Sequence, residues 1–314
     1  MKVHLNLDEI PEINNAIVTQ GTFDGVHVAH RVILNRLKEL AVKKNGETVV
    51  ITFHPHPRMI LFPDDHGLKL LHTLEEKIKA LEVLDIDHLI VIPFTREFSR
   101  LSSMQFIRDI LVKKINTHTL VIGYNHRFGK NREGTFKHLI EFAPVYGFAI
   151  EEIPEQDVEL EAVSSTRIRQ ALETGKISQA NKNLGYYYSL IGKVMYGKQL
   201  GRTIGFPTAN IELGDPTKLI PADGVYAVEV FINNKIHLGM LNCGFRPTVD
   251  GVTHAIEVHI FNFNENIYDQ TVKISFVDKL RNEIKFTDIS ELKTQLENDK
   301  LHALEILNKQ KQLQ

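Results

Sequence analysis

The fold of the first half is decided by residues 16–43, which read AIVTQGTFDGVHVAHRVILNRLKELAVK. The apolar run AIVTQ is typical of a buried strand, and a loop that contains glycine follows it directly. Over residues 32–43 the apolar side chains recur at the spacing of one helix face. Strand, loop and helix in this order begin a βαβ unit, so the segment predicts a parallel sheet.

The same alternation continues to about residue 174. Four further segments read as buried strands, at residues 47–53, 88–94, 118–124 and 148–154, and two further helix patterns cover residues 75–84 and 102–114. Crossovers between parallel strands are right-handed and cover both faces of the sheet. The sequence therefore predicts a doubly wound α/β domain over residues 1–185.

The pattern changes near Gly185. Short runs rich in β-branched and aromatic residues follow, at residues 189–196, 208–213, 224–232, 235–244, 253–263 and 271–277. Asn233 and Asn234 separate two of them and indicate a hairpin. Strands at this spacing without helices between them predict an antiparallel barrel or sandwich over residues 186–314, which an amphipathic helix at residues 290–309 would close.

Composition excludes several classes of protein. The chain has 314 residues with 43% hydrophobic and 24% charged residues, which is ordinary for globular domains. Its formal net charge of −2 argues against a general nucleic-acid binder, and no apolar run reaches the length of about 18 residues that a membrane span needs. The start MKVHLNLDEIPEI does not resemble a signal peptide, and the single cysteine, Cys243, fits a reducing cytoplasm as a free buried thiol. We expect small-molecule partners, neither nucleic acid nor membrane, and a monomer or weak homo-oligomer.

The loop at residues 21–30 is the first candidate site. It follows the first strand of the predicted sheet, at the edge where ligands of doubly wound folds bind. Glycine lets the backbone approach a phosphate, and the following helix presents free N–H groups to an anion. His27 and His30 would face the same way on a helical turn and could both donate to phosphate oxygens. A surface histidine pair and a zinc site are the alternatives, although neither an HExxH motif nor a cysteine ligand supports zinc.

Two further clusters also follow strands. Residues 164–169 read SSTRIR and open a helix. Serine and threonine are good helix caps without any function, but two arginines in a first turn oppose the helix dipole, and an anionic ligand would offset that conflict. Residues 123–134 read GYNHRFGKNREG and form either a solvated basic loop or a third part of the site.

The motifs of the first half resemble the nucleotidylyltransferase superfamily. More closely, they resemble the FMN adenylyltransferase module of bacterial bifunctional FAD synthetases, in that family's order over residues 16–185. The matching segments are GTFDGVHVAH at 21–30, TFHPHPR at 52–58, GYNHRFGKNREG at 123–134 and VSSTRIR at 163–169. The resemblance implies a Rossmann-like domain that adenylylates FMN with ATP, giving FAD and pyrophosphate.

The second half looks like the riboflavin kinase module, a small barrel with a Greek-key core, over residues 186 to about 308. The matching segments are GKQLGRTIGFPTAN at 197–210, GVYA at 224–227, GFRPT at 244–248 and IEVH at 256–259. This resemblance implies that the chain phosphorylates riboflavin with ATP to FMN, with Mg²⁺ as cofactor.

The two resemblances also imply roles for single residues. In the adenylyltransferase half, the catalytic candidates are His27, His30, Asn125 and Arg169; the nucleotide-binding candidates are Gly21, Thr22, Phe23, Ser165 and Thr166; and Arg58 is the flavin-binding candidate. In the kinase half, Glu257 is the candidate base and Arg281 the flavin-binding candidate. Thr208 and Asn210 are the candidates for the metal, and Gly197, Gly201 and Gly205 for the nucleotide. A salt-bridged strand glutamate and glycines that serve only turns are the alternatives.

Two residues depart from the family's pattern. Ala29 stands where the family usually has glycine between the histidines, and His126 stands where it commonly has phenylalanine. Adenylylation could therefore be slow, restricted in substrate or dependent on the redox state of the flavin. Other open classes are a kinase whose first domain has become a regulatory or RNA-binding appendage, a flavin-binding protein without turnover, and a single-activity cytidylyltransferase.

Overall fold

The chain forms two compact units in a computed structural model. The structure describes residues 1–63, 67–123, 127–153, 163–197, 200–248 and 251–311. The units are Met1–Ser165 and Thr166–Gln314. The sequence predicts the boundary between the two domains at residues 185/186, later in the chain than the boundary between the compact units. That domain boundary stays a prediction.

The first unit is built on a six-stranded parallel sheet with the order β1-β4-β3-β2-β5-β6. The strands are β1 (Lys2–His4), β2 (Ile17–Gln20), β3 (Thr48–His54), β4 (His88–Pro93), β5 (Thr119–Gly123) and β6 (Ala149–Ile153). The five predicted strands are confirmed to within one residue at each end. The sequence did not reveal β1, because three residues are too few to show a period of two.

Helices connect these strands. They are α1 (Val28–Lys44), α2 (Pro57–Leu61), α3 (Leu74–Glu82), α4 (Ser103–Gln105) and α5 (Phe136–Tyr146). The helix predicted at residues 102–114 is α4 continued by a π-helix, Phe106–Val112. Helix α1 begins four residues before the predicted start, because His27 caps it in an extended conformation.

Two apolar clusters cover the two faces of the sheet. Val49 and Ile51 of β3 belong to one cluster, with the π-helix and α5. Val50, between them, belongs to the other cluster, with α1. Alternate side chains of a strand point to opposite faces, so the central strands are apolar throughout. The ends of the strands and the loops that follow them remain for polar chemistry.

The second unit is a closed antiparallel barrel with the strand order β10-β11-β8-β7-β12-β9. Its strands are β7 (Ser189–Met195), β8 (Ala209–Leu213), β9 (Gly224–Ile232), β10 (Lys235–Thr248), β11 (Gly251–Ile260) and β12 (Thr271–Arg281). The predicted hairpin joins β9 to β10, with φ of 49° at Asn233 and 63° at Asn234. Positive φ at both positions suits the right-handed twist of the flanking strands.

Four helices belong to this unit. They are α6 (Ser165–Glu173), whose first residue closes the other unit, α7 (Ile177–Leu184), α8 (Leu200–Thr203) and α9 (Ile289–Lys311). Ala303 and Leu307 of α9 are buried with Ala227 and Met240 of the barrel. The predicted C-terminal helix is confirmed. Among the described residues, none of the helices is both long and apolar enough to cross a membrane.

Candidate active sites

The loop after β2 has an unusual backbone. We call residues 21–30 the histidine loop. The N–H of Gly21 donates to the carbonyl of Ile51 at 3.0 Å. Beyond it, φ is 46° at Phe23, 87° at Gly25 and 37° at Val26. Positive φ is costly for a β-branched residue, and such strain persists where surrounding contacts enforce it.

Asp24 supplies those contacts. Its side chain is 2% exposed, and the carboxylate accepts hydrogen bonds from the backbone N–H groups of Leu71 and His72, both at 3.0 Å. The Ser165 hydroxyl donates to the Asp24 carbonyl at 2.8 Å. The structure therefore brings Ser165, a predicted nucleotide contact, to the histidine loop, although 141 residues of sequence separate it from Asp24.

His27 and His30 lie together at the start of α1. Their rings stack with centroids 3.6 Å apart and planes inclined by 15°. The His27 Nδ1 accepts the backbone N–H of His30 at 3.4 Å, which caps the helix. The Phe23 ring packs 5.0 Å from the His30 ring and is 1% exposed. Phe23 thus supports His30 with its side chain, and only its backbone remains for a nucleotide.

The electrostatics keep His30 neutral. Burial lowers the pKa of His30 well below its usual value, and the positive charges of His27, Lys77 and His72 lower it further. The Nδ1 of His30 is buried and has no hydrogen-bond partner among the described residues. A neutral imidazole has one donor and one acceptor, and a bound phosphate would favour its donor.

Lys77 is a residue of this region that sequence reasoning missed. It lies on α3 and is 6% exposed, and burial lowers the pKa of its ammonium to about 8, partly offset by Asp24. One signal was available: Lys77 stands four residues before Leu81, on the buried side of the helix. A lysine at a core position is uncommon and points to function.

Of the other predicted residues of this half, Thr22 lies in the histidine loop itself and the rest lie outside it. The Thr22 carbonyl accepts the Thr52 hydroxyl at 3.1 Å. Arg58 is exposed on the short helix α2. Asn125, like His126, lies outside the described residues. Thr166 and the buried Arg169 lie on α6 and belong to the second unit.

The barrel brings Glu257, Thr208 and Asn210 together. The Thr208 hydroxyl donates to the Glu257 carboxylate at 3.3 Å. Asn210 lies directly opposite Glu257 in the pairing of β8 with β11. A carboxylate and two neutral side chains with oxygen atoms, from segments 47 or more residues apart in the sequence, thus share one place in the fold.

The predicted glycines of this half permit close approaches of the chain. A side chain at Gly197 would overlap the Asn210 amide, and one at Gly201 would overlap the Phe206 carbonyl. Gly205 has φ of 86°. Gly201 is therefore required by packing against the backbone and Gly205 by its positive φ, whereas a larger residue at Gly197 would displace the amide of Asn210, a predicted metal residue.

A cavity of about 430 Å³ opens beside Thr208. Its other walls are Arg202, Pro207 and the segment 263–268. His259 fixes the wall at Pro207: its Nδ1 donates a hydrogen bond to the Pro207 carbonyl at 2.7 Å. The volume lies within the range of small-molecule sites. Sequence reasoning missed segment 263–268, which has no recognisable motif.

Arg281 is engaged within the second unit. Its guanidinium makes a bidentate ion pair with Asp299 of α9, with N···O distances of 2.7 to 3.0 Å, and both side chains are largely buried. Its Nη1 also donates to the Asn282 carbonyl at 3.0 Å. The flavin-binding role of Arg281 stays a prediction.

Two family models match the chain. The model for FAD synthetase matches residues 9–167, and the model for riboflavin kinase matches residues 184–307. The first segment covers strands β2 to β6 of the parallel sheet, and the second covers the barrel.

Several curated proteins are similar over nearly the whole length. A bifunctional riboflavin kinase/FMN adenylyltransferase of Escherichia coli K12 is 38% identical over 301 residues, covering 96% of this chain and 95% of that protein. The protein of the same name from Bacillus subtilis is 36% identical over 296 residues, covering 92% of each. A crystal structure described as a macrolide-efflux protein from Streptococcus pneumoniae superposes with a TM-score of 0.86 at 32% identity, covering 95% of this chain and 97% of that one.

The order of the two domains, their motifs and the extent of the similarity all agree. The chain belongs to the family of bacterial bifunctional riboflavin kinase/FMN adenylyltransferases.

Proposed function

We propose that the two units carry out successive steps of flavin cofactor synthesis at separate sites. The barrel phosphorylates riboflavin with ATP to FMN, and the parallel-sheet unit adenylylates FMN with ATP to FAD and pyrophosphate. The observation that carries this proposal is that each unit holds its own cluster of candidate catalytic side chains. Glu257 lies beside Thr208 and Asn210 in the barrel, and His27 and His30 stack in the parallel-sheet unit.

In the kinase site, Glu257 is the general base. The ribityl 5′-hydroxyl gives its proton to the Glu257 carboxylate, its oxygen bonds to the γ-phosphorus of ATP, and the bond from that phosphorus to ADP breaks. The hydrogen bond from Thr208 at 3.3 Å orients the carboxylate. General base catalysis of this kind contributes about 10²- to 10⁴-fold to the rate.

Thr208 and Asn210 would hold Mg²⁺. Their neutral oxygens, close to the Glu257 carboxylate, are of the type that hard cations prefer. When bound, the ion offsets the negative charge of the ATP phosphates. The cavity beside Thr208 takes the nucleotide, and Arg202 on its wall supplies positive charge. Gly197, Gly201 and Gly205 let the chain approach that nucleotide.

In the adenylyltransferase site, catalysis is positioning and charge stabilisation. A phosphate oxygen of FMN bonds to the α-phosphorus of ATP, and the bond to pyrophosphate breaks, so that no protein nucleophile is needed. His27 and the neutral His30 donate to the triphosphate. The remaining proposed contacts to ATP are Gly21, Thr22, Phe23, Asn125, Ser165, Thr166 and Arg169.

Arg58 is the proposed contact for the FMN phosphate. Leu61 and Phe62, at the end of the same short helix, are 48% and 60% exposed. An isoalloxazine ring is a flat apolar surface, and exposed apolar side chains next to a cation suit a flavin phosphate with its ring. We also propose small-molecule partners only, and a reducing cytoplasm because the single thiol, Cys243, is buried and free.

The test is to incubate the purified protein with riboflavin, ATP and Mg²⁺ and to separate FMN and FAD by chromatography. We expect riboflavin to pass through FMN to FAD. Accumulation of FMN without FAD would leave only the kinase, and absence of both products would overturn both assignments. Supplying FMN directly distinguishes a slow second step from an absent one.

A further inference from the structure

A buried lysine lies under the histidine loop. Of the residues of α3, only Lys77 and Leu81 are buried. The helix is held by a capping box between Thr73 and Glu76. Residues 71 and 72, just before it, donate to Asp24. The residues just before α3 are therefore hydrogen-bonded to the histidine loop, and Lys77 lies in the first turn of the helix that follows them.

The ammonium of Lys77 reaches the loop through Thr52. Its Nζ donates to the Thr52 hydroxyl at 3.3 Å, and that hydroxyl donates to the Thr22 carbonyl at 3.1 Å. Thr52 is fully buried. The chain of two hydrogen bonds thus ends on the backbone of a residue that we propose to contact ATP.

The ammonium of Lys77 has more donors than the described residues use, and one carboxylate, that of Asp24, opposes its charge. An ammonium has three donors, and in the described part of the chain Lys77 makes one hydrogen bond, to a neutral hydroxyl, and no ion pair. Asp24 is the carboxylate that acts on it electrostatically, and the oxygens of Asp24 already accept two backbone N–H groups. A buried ammonium in this state is short of hydrogen-bond acceptors.

A triphosphate beside the histidine loop would add negative charge and acceptor oxygens near this ammonium. We infer that Lys77 is a positioning residue for adenylyl transfer, whose ammonium holds the Thr22 backbone through Thr52 and attracts the ATP triphosphate to the histidine pair. The inference rests on the proposed function of this unit. Lys77 acts through Thr52 and through its charge.

The inference implies a pH dependence. Among the described residues, Asp24 and His30 interact electrostatically with Lys77, and His27 and His72 in turn act on His30. The pKa of Lys77 is lowered to about 8 by burial. Because the charged form is required, the kcat/KM for ATP in adenylylation should fall as pH rises through about 8 in the free enzyme.

The experiment compares Lys77→Met, Lys77→Arg and a control, Lys79→Met, which removes an exposed lysine of the same helix. Adenylylation of supplied FMN is measured against ATP and against FMN from pH 6.5 to 9.5. Far-ultraviolet circular dichroism of each sample reports folded protein, and riboflavin kinase activity reports an intact second unit. Lys77→Met should raise the KM for ATP by about tenfold or more, since it removes a charge that attracts the triphosphate. Its KM for FMN should stay within about twofold.

The variants should also differ in their pH profiles. Lys77→Met and Lys77→Arg should both lack the decline above pH 8, because neither side chain loses a proton there. Lys79→Met should behave as the wild type. An unchanged KM for ATP in a Lys77→Met protein with full kinase activity would overturn the inference. If Lys77→Met does not fold, the Lys77→Arg protein decides: a kcat/KM for ATP that still declines above pH 8 in that variant would also overturn the inference. A wild-type protein that makes no FAD would overturn the proposed function, and the inference with it.

Discussion

Replacing Asp24 by alanine tests how the histidine loop is held in its strained conformation. The carboxylate accepts the backbone N–H groups of Leu71 and His72 at 3.0 Å, and all three residues are buried. Alanine would leave both donors without this acceptor. An unsatisfied buried donor costs about 1–3 kcal/mol, so the free energy of unfolding of the first unit should fall by about 2–6 kcal/mol.

Asp24→Asn is the matched control. Both N–H groups donate to Oδ1, where an amide oxygen can accept both, and the Leu71 N–H also donates to Oδ2 at 3.1 Å. The remaining changes are that charge-assisted hydrogen bonds become neutral ones and that Lys77 loses the carboxylate charge that acts on it. We expect a cost of about 1–2 kcal/mol, well below that of alanine.

Urea unfolding followed by far-ultraviolet circular dichroism measures these differences, since the chain has no tryptophan to report by fluorescence. Adenylylation should fall in Asp24→Ala because Phe23, Gly25 and Val26 lose the anchor that enforces their positive φ. Kinase activity in the same samples should persist. A loss below about 1 kcal/mol in Asp24→Ala, or an equal loss in Asp24→Asn, would refute the reasoning.

Three further predictions concern the two reactions. Glu257→Gln should lower FMN formation by about 10²-fold or more, because an amide cannot accept the hydroxyl proton, and should spare FAD formation from supplied FMN. His30→Ala should lower adenylylation by about 10²-fold with the kinase intact; if either substitution removed both activities in a folded protein, the assignment of separate sites would be wrong. Because Ala29 and His126 depart from the family's pattern, adenylylation should be faster with one redox state of FMN, and equal turnover of oxidised and reduced FMN under anaerobic conditions would count against this.

The sequence motifs identified candidate residues that lie together in the fold, but they did not predict the cavity wall or the ion pair near them. The positions of Glu257, Thr208 and Asn210 could be read from motifs, and the barrel brings them together. The cavity wall at residues 263–268 could not be predicted, because that segment acquires its place only when β11 pairs with β8 and β12 pairs with β7. Arg281 was predicted without its ion pair to Asp299, 18 residues later on another element.

The sequence by itself determined the order and type of the elements around the histidine loop. Apolar periods of two and of 3.6 are local properties, so strands and helices could be located before any of them was packed. The tertiary structure decided what depends on distant contacts. Pairing of Ser189 with Ser275 helps to close the barrel, and burial of α3 against the sheet makes Lys77 a desolvated cation. No local pattern can record these effects, because solvent exclusion and strand pairing join residues that are far apart along the chain.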